Sequence, residues 1–193
     1  MANEKYGVVL LRAQPIHKGH LSVIQKAVDE NDKVLVVIGS ANKAGTQRNP
    51  IDIDVRFPMV HKAVANAINN NDKVVFGILS DWSMEDAYNL AKEWGNFFYY
   101  NVVNMLKSKT FTLYYNDDQA TVRNWFTSEI AHRVTIKSSN RVGLDMSSTK
   151  VREAVMNDDF ATLERMLDET TLGYLPEIKM AIENAKQDDF IMQ

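Results

Sequence analysis

The stretch YGVVLLRAQPIHKGHLSVIQKAVDENDKVLVVI, residues 6–38, begins and ends with a continuous apolar run. Such runs, here over residues 6–12 and 33–38, are typical of strands that are covered on both faces. Between them, residues 19–30 carry apolar side chains at the three- and four-residue spacing of a helix. The order strand, helix, strand predicts a parallel unit with a right-handed connection.

The same alternation continues through the first half of the chain. Residues 54–69 form a second apolar stripe at helical spacing, and residues 73–79 (KVVFGIL) are a third strand-like run. Short strands that alternate with helices predict an α/β fold, a doubly wound parallel sheet of the Rossmann-like type. Ligands bind to such sheets at the carboxyl ends of the strands.

The second half of the chain is less regular. We predict one or two helices over residues 83–107, with a break near Gly95. A strand over 110–115, a helix over 118–130 and a strand over 133–136 should follow. From residue 147 to the end we predict helices, with breaks near Asn157 and at 173–176. No linker is long enough to separate two domains. The pattern therefore predicts a single domain over residues 1–193, with a core over about 6–168 and a helical tail over 169–193.

Composition places the chain among ordinary globular proteins and excludes several kinds of site. Apolar residues make up 45% of the 193 residues and charged residues 24%, so a sizeable core can be buried. The net charge of -3, without a basic cluster, argues against a nucleic-acid surface. The absence of cysteine excludes disulfides and thiolate metal sites.

A cytoplasmic location, without a membrane segment, is the expectation for this chain. Residues 1–5 are polar and lack the charged-then-apolar pattern of a signal peptide. No apolar run approaches the ~18 residues that a membrane span requires.

His17 and His20 stand at the turn from the first strand to the first helix. Pro15 disfavours helix before them, so we expect both histidines at the first helical turn, on one side of the helix. Gly19 between them lets a ligand approach the backbone closely. The unpaired N–H groups of a helix N-terminus bind phosphate well, and two imidazoles add further donors. The H-x-G-H motif therefore predicts a phosphate site.

Two other interpretations of the histidine pair carry less weight. One is a core or solvated pair without a ligand. The other is a zinc site, which lacks partners because only His61 and His132 remain and the chain has no cysteine.

A second phosphate-binding segment is predicted near residue 150. Ser147, Ser148 and Thr149 precede apolar residues at helical spacing, as expected of a helix N-terminus. Arg152 in the first turns can add a bidentate, permanently charged contact. Taken alone, the segment is also compatible with an ordinary helix cap beside an exposed arginine; together with the histidine pair, it favours a phosphate site.

Residues 11–20 (LRAQPIHKGH) resemble the G-R-F-Q-P-x-H-x-G-H opening of nicotinamide mononucleotide adenylyltransferases, particularly the archaeal-type branch. These enzymes belong to the larger HxGH nucleotidyltransferase superfamily. Leu11 and Ala13 stand where the family has glycine and phenylalanine, while the arginine, glutamine and proline are retained.

Further stretches extend the resemblance over residues 6 to about 168. Residues 39–41 resemble the family's G-S-A, and residues 46–51 (TQRNPI) its T-x-x-N-P-F. Arg56 and Met59 match its E-R-x-x-M, with Val55 in place of the glutamate. Residues 146–152 (MSSTKVR) are similar to I-S-S-T-x-I-R. Residues 115–126 resemble, loosely, a stretch of relatives that are fused to a Nudix domain.

The resemblance implies a nucleotidyltransferase that transfers AMP from ATP to nicotinamide mononucleotide, giving NAD and pyrophosphate. It implies Mg²⁺ that bridges the ATP phosphates and is held mainly by them, with no metal ligand from the protein. The implied catalytic residues are His17, His20 and Arg152. The implied ATP-binding residues are Arg12, Gln14, Gly19, Ser40, Asn116, Ser147, Ser148, Thr149 and Arg152. The implied acceptor-binding residues are Asp81, Trp82, Asn49 and Arg56.

The acceptor and the assembly are less well determined than the chemistry. Asp81 matches the family's acidic residue after the third strand, but neither Trp82 nor Trp94 lies at the position of its tryptophan. An acceptor such as phosphopantetheine or flavin mononucleotide, or a non-catalytic nucleotide-binding sensor, therefore remains an alternative. The aromatic run FFYY, residues 97–100, favours core packing, with a homo-oligomer contact as the other interpretation.

Overall fold

A computed structural model describes residues 4–81, 91–115, 119–138 and 146–191, without side chains for 119–120 and 186–191. Within these ranges, five strands form one parallel sheet in the order β3-β2-β1-β4-β5. The strands are β1 (Tyr6–Leu11), β2 (Lys33–Ile38), β3 (Val74–Ile78), β4 (Phe111–Tyr115) and β5 (Val134–Ser138). The predicted doubly wound parallel sheet is confirmed.

Helices cover both faces of the sheet. They are α1 (Lys18–Glu30), α2 (Ile53–Ala67), α3 (Ala91–Leu106), α4 (Gln119–Arg123), α5 (Ser128–Ala131), α6 (Ser148–Met156), α7 (Phe160–Met166), α8 (Glu169–Leu172) and α9 (Leu175–Ile191), with a 3₁₀ turn at Asn71–Lys73. Alternate residues of β2 enter two cores, Val34 and Val36 on the α1 side and Leu35 and Val37 on the α3 side. In the described ranges, no helix is both long and apolar enough to cross a bilayer.

The strand order places a cleft beside the central strand. β2 and β3 follow β1 on one side of the sheet, whereas β4 and β5 lie on the other. The connections therefore diverge at the carboxyl ends of β1 and β4, and ligands bind to open α/β sheets at such switch points.

The predicted helix break near Gly95 is wrong, because α3 runs without interruption from residue 91 to 106. A Cβ added to Gly95 would lie 1.7 Å from the backbone oxygen of Trp125. The ring of the neighbouring Trp94 packs edge-on against the Trp125 ring at 4.8 Å between centroids. The glycine therefore permits close packing of α3 instead of ending the helix. From the aromatic run, Phe98 and Tyr99 are buried in the core as expected, while Tyr100 is exposed.

The helix predicted over residues 118–130 is two short helices, α4 and α5, with Thr127 as the N-cap of the second. In the last part of the chain, the predicted breaks near Asn157 and Gly173 are confirmed, and a further helix begins after Asp168, whose carboxylate accepts the N–H groups of Thr170 and Thr171. The segment 169–191 contributes buried Ile178 and Ile182 to the core on the α1 side.

Candidate active site

A cavity of about 300 Å³ lies at the carboxyl end of β1, beside the end of β4. Its walls come from the turn between β1 and α1 on one side and the N-terminus of α6 on the other. The sequence-predicted residues that line it are Arg12, Gln14, His17, His20, Ser147, Ser148, Thr149 and Arg152. The fold thus brings the two predicted phosphate-binding segments into one cleft.

His17 and His20 lie on the same side of the first turn of α1, as predicted. His17 is the N-cap with an extended backbone (φ -149°), and the two ring centroids are 3.8 Å apart. The backbone N–H of His17 donates to Nδ1 of His20 at 3.3 Å. Because Nδ1 of His20 is the acceptor there, the neutral imidazole carries its proton on Nε2. This tautomer can donate a hydrogen bond to a phosphoryl oxygen.

Gly19 makes room for the buried His17 ring. A Cβ at this position would lie 2.9 Å from Nδ1 of His17 and 3.0 Å from its Cε1. Side chains do not approach so closely without displacement, so the glycine allows the imidazole to fold back over the start of the helix. Gly19, a predicted ATP contact, is itself buried and lies outside the cavity lining.

The N-terminus of α6 is tied directly to the turn that carries the histidines. The Ser148 hydroxyl donates to the carbonyl of Pro15 at 3.0 Å, and Nη1 of Arg152 donates to the carbonyl of Gln14 at 2.8 Å. Ser147 caps the helix by accepting the N–H of Lys150. These contacts hold the two phosphate-binding segments at a set separation.

Three guanidinium groups border the cavity, from Arg12, Arg48 and Arg152. Partial burial lowers the pKa of Arg12 and the pKa of Arg152. The positive charge of Arg48 lowers the pKa of Arg12 further, and the positive charge of Arg12 lowers the pKa of Arg152 further. Arg12 and Arg152 keep their charge at neutral pH despite these shifts, because a guanidinium is a very strong base. The described lining of the cavity contains no carboxylate, although Asp81 acts on Arg12, and Glu153 on Arg152, in the opposite direction.

Arg48 is the residue that sequence reasoning missed. It belongs to the stretch TQRNPI, which was singled out for its match to the family, but the arginine was not assigned a role. The loop after β2 carries it to the cavity. A cation inside a recognised motif is the signal that was available.

The side chain of Gln14 supports the site from behind. It is buried, and its amide makes two hydrogen bonds with the backbone of Ile51, both at 2.9 Å. Nε2 of Gln14 donates to the Ile51 carbonyl, and Oε1 of Gln14 accepts the Ile51 N–H. The side-chain amide of Gln14 is therefore not free to make the predicted contact with ATP. The structure instead gives the backbone carbonyl of Gln14 a role, as the acceptor of Arg152.

Arg56 lies beneath the site and not in an acceptor pocket, which corrects its predicted role as a direct contact. The side chain is fully buried, and its burial lowers its pKa. Its guanidinium donates to the carbonyls of Arg12, Gly39 and Ser40 at 2.8–2.9 Å. It therefore joins the loops that leave β1 and β2. Ser40, a predicted ATP contact, is buried in a left-handed conformation (φ 50°) and lies outside the cavity lining.

The other predicted acceptor residues lie towards β2 and β3. Asn49 is buried, and its N–H donates to the hydroxyl of Thr46 at 3.0 Å. Asp81 follows β3, accepts a hydrogen bond from Asn42 on its carbonyl, and faces Lys43 at 3.9 Å. Neither lines the 300 Å³ cavity. Trp82 and Asn116 lie outside the described residues.

Metal ligands are sparse around the cleft. In the part of the chain that the structure describes, no group of three or more His, Asp or Glu side chains is placed to hold a metal ion. The donors that face the cavity are cationic or hydroxyl groups, which suit phosphate oxygens.

The sequence model of the cytidylyltransferase-like family matches residues 12–154. This span includes the histidine turn, the loop with Arg48, and the N-terminus of α6. The chain belongs to the cytidylyltransferase-like family. The resemblance drawn from residues 11–20 and 146–152 is thereby confirmed at the level of the nucleotidyltransferase superfamily.

Two relatives of this cytidylyltransferase-like chain are nicotinamide-nucleotide adenylyltransferases of archaea. The protein from Thermoplasma acidophilum is 36% identical over 61 residues, 32% of this chain and 34% of that protein. The protein from Methanococcus maripaludis strain C5 is 28% identical over 169 residues, 86% of each chain. The first of these alignments thus spans about a third of the relative's length.

A solved structure shares the fold of this cytidylyltransferase-like chain. It is a bifunctional NMN adenylyltransferase/ADP ribose pyrophosphatase from Francisella tularensis, with a TM-score of 0.73 at 17% identity. The likeness covers 98% of this chain and 55% of that one. It confirms the Rossmann-like fold.

Proposed function

We propose that the chain transfers the adenylyl group of ATP to nicotinamide mononucleotide, forming NAD and releasing pyrophosphate. The observation that carries this proposal is one cleft that joins the His17–His20 pair to the N-terminus of α6, with three guanidinium groups and no carboxylate in its described lining. The family membership and the names of both archaeal relatives support it.

The reaction needs positioning more than proton transfer. An oxygen of the acceptor phosphate attacks the α-phosphorus of ATP, and the bond from that phosphorus to the oxygen that bridges to the β-phosphate breaks. The attacking oxygen is already anionic, so no general base is required. Catalysis therefore consists of placing two mutually repelling anions in line and stabilising the charge that develops.

We assign His20 to the α-phosphoryl oxygens, because it lines the cavity and the His17 backbone selects the tautomer that carries the proton on Nε2. His17 packs against it and fixes the ring plane. The N–H groups and hydroxyls at the start of α6, together with Arg12, Arg48 and Arg152, bind the β- and γ-phosphates. As pyrophosphate leaves, these donors stabilise its growing charge.

We propose that the reaction uses Mg²⁺ held by the ATP phosphates. The described cavity offers cations and hydroxyls but no carboxylate, so the protein donors fit the phosphate and not the ion. When bound, the ion neutralises phosphate charge and favours departure of pyrophosphate.

We place the acceptor over the loops that follow β2 and β3. Arg56 holds the loop after β2 through the carbonyls of Gly39 and Ser40, and Asp81, after β3, is linked to that loop through Asn42. We further propose that the protein works in the cytoplasm on small-molecule substrates and that copies of it associate.

Pyrophosphate release, measured with ATP and a panel of phosphate acceptors, tests the proposal. The panel contains nicotinamide mononucleotide, nicotinate mononucleotide, phosphopantetheine and flavin mononucleotide. We expect the highest kcat/KM with nicotinamide mononucleotide and NAD as the second product. Turnover only with another acceptor contradicts the substrate assignment. ATP binding without turnover on any acceptor indicates a sensor instead of an enzyme.

A further inference from the structure

The side chain of Asn42 joins the loop after β2 to the segment after β3. Asn42 is exposed, and its amide makes two hydrogen bonds with the backbone of Asp81. Oδ1 of Asn42 accepts the Asp81 N–H at 2.9 Å, and Nδ2 of Asn42 donates to the Asp81 carbonyl at 3.2 Å. The amide therefore engages both backbone groups of Asp81, as the peptide groups of a paired strand would.

The pairing of β2 with β3 continues past the ends of both strands, but with a shift of one residue. The N–H of Leu79 donates to the carbonyl of Ile38, as in regular parallel pairing. The carbonyl of Leu79 then accepts the N–H of Ala41, whereas regular pairing would bring it the N–H of Ser40. Ser40 has a left-handed backbone (φ 50°), and this turn passes the contact on to the next residue.

The Ser40 carbonyl is engaged elsewhere and does not extend the pairing to Asp81. It accepts the Arg56 guanidinium at 2.9 Å and the N–H of Lys43 at 3.1 Å. A carbonyl oxygen has two lone pairs, so these two donors saturate it. The Asn42 side chain supplies the acceptor for the Asp81 N–H in its place and adds a donor for the Asp81 carbonyl.

The Asp81 carboxylate lies towards the cleft. Its Oδ2 is 3.9 Å from Nζ of Lys43. Burial lowers the pKa of Arg12, and the negative charge of Asp81 opposes that shift, so the carboxylate is within electrostatic range of the cavity border. A carboxylate has about four lone-pair sites, and one ion pair at 3.9 Å leaves it able to accept hydrogen bonds from a ligand.

We propose that Asn42 is a positioning residue that acts through Asp81 to favour a carboxamide over a carboxylate on the acceptor ring. This inference rests on the proposed function, in which the acceptor lies over these loops. A carboxylate accepts hydrogen bonds and donates none. Asp81 therefore accepts from the carboxamide NH₂ of nicotinamide mononucleotide and repels the carboxylate of nicotinate mononucleotide. The hydrogen bond weakens steeply when its geometry changes, and Asn42 fixes that geometry by holding the Asp81 backbone.

Steady-state kinetics of Asn42→Ala tests the proposal. We expect KM for nicotinamide mononucleotide to rise about tenfold, as for loss of one hydrogen bond to a charged group, while KM for ATP stays within about twofold. The ratio of kcat/KM for the amide acceptor to that for the acid acceptor should fall. Gln47→Ala, exposed in the same loop, is the matched control and should keep the wild-type values. An equal rise in both KM values, or an unchanged ratio, overturns the proposal.

A double-mutant cycle shows whether Asn42 acts through Asp81. Asp81→Asn keeps the shape of the side chain but removes its charge, so it should lower the amide-to-acid ratio by itself. In that background, Asn42→Ala should change the ratio by less than about twofold, because coupled residues are not additive. Full additivity of the two changes contradicts the positioning role.

Amide hydrogen exchange of the full chain tests the contact without any acceptor. Asn42→Ala should speed exchange at the Asp81 N–H by at least about tenfold, while the Leu79 N–H, which donates to β2, keeps its protection. Unchanged exchange at Asp81 overturns the proposal, whatever acceptor the enzyme uses. Faster exchange in a protein whose wild type does not use nicotinamide mononucleotide contradicts the proposed function, and the amide preference with it.

Discussion

At the first turn of α1, the orientation of the His20 side chain depends on His17 and Gly19. His20 receives a hydrogen bond from the His17 backbone, and the His17 ring occupies the space that a side chain at residue 19 would need. The three residues therefore act as one unit. The H-x-G-H spacing places His20, the proposed donor, beside His17, which orients it, and Gly19, whose missing side chain leaves room for the His17 ring.

His20→Ala should reduce turnover much more than ATP affinity. The donor acts on charge that develops in the transition state, and loss of one such donor lowers kcat by about 10²–10³-fold. The measurement is kcat by pyrophosphate release together with the Kd of ATP by calorimetry. His132→Ala, at the exposed end of α5, is the control and should behave as wild type. A kcat within a few-fold of wild type would show that His20 is not the α-phosphoryl donor.

Gly19→Ala should lower turnover while the protein stays folded. The added Cβ would meet the His17 ring at 2.9 Å and displace it, although alanine favours helix by about 1 kcal/mol. We expect kcat to fall by at least about tenfold, since misplacement by about 1 Å costs catalysis heavily. Ser22→Ala, exposed on the same helix, controls for a change in helix propensity. Unchanged kcat in a folded Gly19→Ala variant would refute this role of the glycine.

At the scale of elements, Arg56 of α2 joins the ends of β1 and β2. Its guanidinium donates to carbonyls of both loops, and the Ser40 carbonyl also accepts the N–H of Lys43. The sequence match to E-R-x-x-M marks this arginine as important but does not distinguish a ligand contact from a structural clamp. Only the burial of the side chain makes that distinction.

Arg56→Met should destabilise the fold and weaken acceptor binding. The carbonyls of Arg12, Gly39 and Ser40 would lose the guanidinium donor, although that of Ser40 keeps the N–H of Lys43, and we expect a loss of about 2–4 kcal/mol in the free energy of unfolding. Urea denaturation measures the loss, and KM for nicotinamide mononucleotide reports the loops. Lys62→Met, exposed on the same helix, should change stability by less than about 1 kcal/mol. Equal stability of the two variants would contradict the clamp.

Predictability at this scale depends on whether the cause is local. The bounds of β2 at Lys33–Ile38 agree with the sequence prediction, because a continuous apolar run reports burial on both faces. The break expected at Gly95 is wrong because the reason for that glycine is the Trp125 backbone, which is distant in sequence. Local propensity does not report such a contact.

At the scale of the whole molecule, the charge of the cleft couples ligand binding to stability. Arg12, Arg48 and Arg152 converge from three separate parts of the chain, and the described lining holds no carboxylate to balance them. In the proposed reaction, a bound polyanion would offset the mutual repulsion of these guanidinium groups.

Pyrophosphate should raise the thermal unfolding temperature of the whole protein. At about 100 times its Kd, a ligand that binds only the folded state stabilises it by about 2.7 kcal/mol. Arg48→Ala should reduce this gain and its dependence on salt, whereas Arg165→Ala, exposed on α7, should leave both unchanged. Differential scanning fluorimetry with increasing pyrophosphate gives the comparison. An equal response of the two variants would exclude Arg48 from the phosphate site.

The sequence by itself determined the parallel α/β architecture and predicted a phosphate site at the H-x-G-H turn, because strand runs, helical stripes and the spacing of His17 and His20 are local properties. Only the tertiary structure decided which arginines serve the cleft, since Arg48 reaches it and Arg56 is buried beneath it. It also decided that α6 is tied to the histidine turn and that Asn42 pairs with the backbone of Asp81. These outcomes depend on packing between segments far apart in the chain, and no local pattern contains that information.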